Sequence, residues 1–182
     1  MSKLTQTINA WSLYFVSGEV IEASNVILAQ GADPVSVAYS VPEISSEIAL
    51  NPEKLNQCIE PQEAIEVFGS SHSAVLVMKN LLDTQRCKKI INFYRSALRY
   101  AIYLADQILF DNTGLKWIAA EFAKNNLEEA VCAENIVRIF SSSENIQSYL
   151  PSCAYAVYAV GFRARKILIE GIDSQFYNRL LA

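Results

Sequence analysis

Apolar residues recur along most of this chain at steps of three and four. In "TQTINAWSLYFVSG" and "EVIEASNVILAQ" that spacing predicts two N-terminal helices, parted near Gly18 and stopped by "GADP" at Gly31 to Pro34. "VSVAYSVP" is the one stretch that reads as extended. At "NPEKL", Asn51 suits an N-cap, Pro52 the first helical position and Glu53 the first turn, so a short helix is expected before Pro61. The spacing predicts further helices from Pro61 to Leu82 with a break at "GSSHS", from Cys87 to Leu109, and about Gly114 to Lys124. Two more are expected about Leu127 to Phe140 and from Pro151 to about Glu170. Alternating strand patterns are nearly missing. The expected fold class is all-α, a single domain over residues 1–182 with an N-terminal helical pair.

On the helix expected from Cys87, one stripe carries Cys87, Ile91, Tyr94, Leu98, Ala101, Ala105 and Ile108, and Phe93, Tyr100 and Tyr103 form an aromatic strip beside it. The pattern predicts a central helix packed on two sides. In "INAWSLYF", Trp11, Tyr14 and Phe15 belong to an apolar surface too large to leave in water, which marks them as interface residues.

Composition narrows the classes. The chain has 182 residues, 52% of them hydrophobic, enough for a substantial core. A net charge of −4 with scattered Lys and Arg argues against nucleic acid as a partner. No apolar run reaches the ~20 residues needed to cross a bilayer, and the N-terminus has no signal-peptide core, so a cytoplasmic protein is expected. Cys58, Cys87, Cys132 and Cys153 lie far apart without a C-x-x-C pair, so no metal site is expected. His72, the single histidine, reads as a capping or surface residue in a polar turn. No glycine-rich phosphate loop and no nucleophile beside a base stands out, so no catalytic residue is assigned and the chain is not expected to be an enzyme.

The segment with Cys87, "YAIYLAD" from Tyr100 to Asp106 and "ILFDNTGLK" from Ile108 to Lys116 resembles the central region of phycobiliproteins, the globin-like antenna subunits, and "FVSGEVIEAS" resembles their first interhelical turn. The resemblance implies a globin-like fold, Cys87 as a bilin-attachment cysteine, and a bilin pocket with Lys89, Tyr94 and Tyr100. Lys89 and Ile90 stand where the family has an arginine and an aspartate that hold the bilin. A covalent bilin on Cys87 and a chromophore-free scaffold both stay open. The implied role is light-harvesting antenna structure, assembly or regulation, by homo- or hetero-association with other α-helical subunits, in the cytoplasm or at the cytoplasmic face of thylakoids. The alternative is a globin-like ligand-sensing or regulatory domain unrelated to antennae.

Overall fold

The computed structural model of the chain describes residues 1–37, 39–61, 63–128 and 131–171. Among them the chain forms twelve strands and five α-helices. This overturns the all-α, globin-like expectation with its N-terminal helical pair. The described residues divide into two compact units, one from residues 1–33 and the chain after 161, the other from residues 34–161.

In the first unit, β1 (Lys3–Gln6), β2 (Trp11–Tyr14) and β3 (Val20–Ala23) form an antiparallel meander, and β12 (Leu168–Glu170) pairs in parallel with the free edge of β1. β4 (Ala32–Pro34) and β11 (Phe162–Ala164) form a two-stranded ribbon. The spacing that predicts helices in these segments arises because aromatic and branched residues happen to fall at steps of three and four. Their β-branched and aromatic content instead suits a pleated surface, and tight turns at Thr7–Ala10 and Phe15–Glu19 fold the meander. Gly18 takes φ +87° in the second turn, a conformation open to glycine.

In the second unit, β5 (Glu63–Phe68), β6 (Cys87–Tyr94), β9 (Ile136–Phe140) and β10 (Tyr155–Tyr158) build a wholly parallel sheet in the order β10-β5-β6-β9. The connections are α3 (His72–Asp83), α4 (Trp117–Asn126) and α5 (Ser143–Tyr149); the second of them first passes through a small hairpin, β7 (Ile102–Tyr103) and β8 (Ile108–Leu109). α1 (Ser46–Ala49) and α2 (Pro52–Cys58) precede the sheet, and α2 begins as its sequence requires, with the Asn51 side chain accepting from Lys54 N at 3.1 Å and Pro52 in the first turn.

Strand alternation divides the core into two layers. Ile65, Val67 and Ile90 point to one face, where Ala74, Val75, Met78 and Leu81 of α3 and Ala119 and Ala123 of α4 cover them. Phe68, Ile91, Phe93, Ala156 and Tyr158 point to the other, against Ile146 of α5. Each fully buried large apolar side chain adds on the order of 1.5–3 kcal/mol, so the sheet is held from both faces. The long helix expected from Cys87 to Leu109 is β6 followed by the hairpin. The helix expected from Leu127 to Phe140 ends in β9 and includes Glu129 and Ala130, which lie outside the described residues. The one expected from Pro151 to Glu170 is β10, β11 and β12. Among the described residues, no helix is long and apolar enough to cross a membrane.

Candidate functional site

In a parallel sheet, ligands bind beyond the carboxyl ends of the strands, at the point where successive strands leave in opposite directions. Here that point lies between β5 and β10. The chain runs outward from β5 through β6 to β9, then returns to place β10 on the other side of β5. A crevice of about 300 Å³ opens there, lined by Gly69, Ser70 and Ser71 after β5, Arg95 and Ser96 after β6, Ser141 after β9 and Ala159 to Gly161 after β10.

Gly69 takes φ +121°, and a Cβ on it would sit 2.4 Å from the Ala159 carbonyl oxygen. Only glycine permits this approach of β5's exit to that of β10. Its N–H donates to Phe93 O at 2.8 Å, so the turn stays stitched to β6. Ala74, fully buried, lets α3 pack close behind the turn. Ser71, the N-cap of α3, lines the crevice and makes no side-chain capping bond. Ser70 Oγ lies 3.3 Å from Ser96 Oγ and ties the turn to the end of β6. Arg95 is exposed at the crevice wall and forms no ion pair among the described residues.

Beneath the crevice, Phe68 stacks on Phe93 at 5.0 Å and on Tyr39 at 5.5 Å, with Tyr158 5.1 Å from Phe68. Glu66 lies fully buried in the same layer of the sheet, beside the Cys153 thiol. Burial pushes its carboxyl up to about 7, partly opposed by the neighbouring Cys153 thiol, and burial first, then the Glu66 charge, raises that thiol to about 12.

The residues expected to form a bilin pocket are not brought together. Cys87 and Tyr94 open and close β6, and at a strand rise of ~3.3 Å per residue they stand roughly 23 Å apart. Cys87 is 7% exposed, its thiol donates to Lys89 O at 3.2 Å, and burial lifts it to about 11, so the reactive thiolate that attachment needs is disfavoured. Lys89 is exposed on the same strand. Tyr94 faces the Arg138 guanidinium, which lies 4.5 Å from its ring centroid, and Tyr100, on the crossover to α4, donates to Glu128. Trp11 and Tyr14 lie on β2, where an odd step between them sends their side chains to opposite faces, and Phe15 follows the strand.

Sequence reading missed Gly69, Ser70, Ser71, Arg95 and Ser96. The signal present was "AIEVF", a short β-branched run ended by glycine, then small polar residues, then Ala74 on an apolar helix. Serine in the middle of "GSSHSA" hid it from a search for repeated glycines.

The fold and crevice define an α/β unit with an open crevice at the switch point of its parallel sheet. No family model matches the chain. It is similar to monooxygenase AgnR1 of Paecilomyces divaricatus, 34% identical over 184 aligned positions that take in 87% of this chain and 47% of that protein. The chain therefore spans about half the length of the curated relative it matches. Among solved structures it is similar to thioredoxin reductase of Lactococcus lactis in its FR conformation, at a TM-score of 0.49 and 14% identity over 88% of this chain and 52% of that one. The parallel sheet and the monooxygenase likeness overturn the phycobiliprotein resemblance. With it fall the antenna role, the globin-like regulatory alternative, the non-enzyme reading and the expectation of a bilin or no cofactor.

Proposed function

We propose that residues 34–161 bind NADPH and supply reducing equivalents to an oxidoreductase of monooxygenase type. The observation that carries this reading is the placing of a Gly69 turn at the β5–β10 switch point with Arg95 and Ser96 at the end of the next strand. The pyrophosphate would sit on the N–H groups of the turn and the first turn of α3, where the helix dipole favours negative charge. The end of the second strand is where such sheets tell the two dinucleotides apart: a carboxylate there takes the ribose 2′-hydroxyl, whereas arginine takes a 2′-phosphate. This chain has "YRS".

A monooxygenase reduces one oxygen atom of O₂ to water with two electrons and places the other in its substrate. A nicotinamide delivers those electrons as hydride but does not activate O₂, so a second carrier is required, and a flavin supplies that chemistry. No residue of this chain is assigned to the flavin. What residues 34–161 would do is bind the dinucleotide and orient it.

The test is titration of the protein with NADPH and NADH. Arg95→Gln removes a charge-assisted pair to the 2′-phosphate, so NADPH affinity should drop roughly tenfold or more while NADH affinity is unchanged. Equal affinity of the variant for NADPH and of the unaltered protein would sink the assignment.

A further inference from the structure

We propose that Asn92, held by Arg138, is a positioning residue that aims the Ser70 N–H into the crevice; the inference rests on the nucleotide reading above. Asn92 is fully buried near the carboxyl end of β6, and an uncharged polar side chain there has to place both its donors and its acceptor. Its Nδ2 donates to Gly69 O at 2.7 Å and Val67 O at 3.0 Å. Its Oδ1 accepts from Arg138 Nε at 3.1 Å. Arg138 in turn donates through Nη1 to Leu127 O at 3.2 Å and lies over the Tyr94 ring. Arginine offers only donors, so it fixes the amide with oxygen outward and both amide hydrogens towards β5.

The consequence follows from the planar trans peptide, in which C=O and N–H point in opposite directions. With the Gly69 carbonyl drawn to Asn92, the Ser70 N–H of the same peptide points away from Asn92. The Asn92 side chain alternates with Ile91 and Phe93, so it lies in the layer of α3 and α4, while the crevice is floored by Phe68 and Phe93 of the other layer. The Ser70 N–H makes no hydrogen bond among the described residues. At a position open to glycine alone, where the peptide plane could otherwise rotate, Asn92 keeps a donor turned towards an anion.

The experiment compares unaltered protein with Asn92→Leu, a neutral side chain of similar size, using NADPH, ADP-ribose and adenosine 2′-monophosphate. The last carries no phosphate at the turn. The expected result is a loss of roughly tenfold or more for NADPH and ADP-ribose, with adenosine 2′-monophosphate held within about twofold. A merely structural role would lower all three alike, and that result, or no loss, overturns the proposal. If Asn92→Leu does not fold, Arg138→Met releases the amide and should give a smaller loss with the same ligand pattern. In the unaltered protein, the Ser70 amide proton should move downfield in the NMR spectrum on adding ADP-ribose; an unmoved resonance overturns the proposal without any variant. Should the unaltered protein bind none of the three ligands, the nucleotide reading fails and this inference goes with it.

Discussion

Gly69 shows how little side chain the candidate site uses. Its conformation and its distance from the Ala159 carbonyl together forbid a Cβ, so Gly69→Ala must displace β10's exit or abandon the turn. The expected cost is roughly 3 kcal/mol or more, the sum of a left-handed backbone and an overpacked contact. Chemical denaturation would measure it, and a loss below ~1 kcal/mol would show that the crevice is looser than described. The same frugality explains why the site was hard to see in the sequence. A cradle of backbone N–H groups leaves one necessary glycine as its mark, and "GSSHS" read as a helix break. Arg95 falls inside the helix expected from Cys87 to Leu109, because nothing in its neighbours announces a strand end.

At the level of elements, the errors within the parallel sheet share a cause. A strand buried on both faces has no polar alternation, so "CKKIINFY" offers a run of apolar residues that period alone cannot separate from a helix. α2, α3 and α4 carry caps or an exposed face and were legible to within a few residues, apart from the strand that precedes α3. β5 carries a further consequence of being buried on both sides, since alternation puts Glu66 in the aromatic layer with Phe68. Its carboxyl titrates near 7 when folded and near 4.5 when free. Between those values the native protein holds a proton that the unfolded chain has lost, so this group's contribution to stability falls as pH rises through the window and levels off above it. Glu66→Gln removes the dependence. Relative to the unaltered protein, the variant should gain roughly 3 kcal/mol between pH 4.5 and 7.5, read from denaturant midpoints across that range. A constant difference between the two would mean that Glu66 ionises at the same pH folded and unfolded.

For the molecule as a whole, the strand order sets the sequence of events in folding. β5 and β6 are joined by a single helix and can pair early, but Val67 also pairs with Val157, after β6, α4, β9 and α5 have all been traversed. Closing so long a loop comes late, because its entropy must be met before the contacts it brings are gained. Until β10 docks, one wall of the crevice is missing and Gly69 has no Ala159 carbonyl to pack against. Refolding followed by NADPH fluorescence should therefore lag behind refolding followed by the helical signal, and coincident traces would rule out the order. The unfinished chain also carries an unpaired β5 edge of mostly buried residues, the kind of surface on which two copies pair. Under the proposed nucleotide reading, a ligand that needs the completed crevice would favour chains in which β10 has docked, so NADPH added during refolding should raise the yield of unaggregated protein.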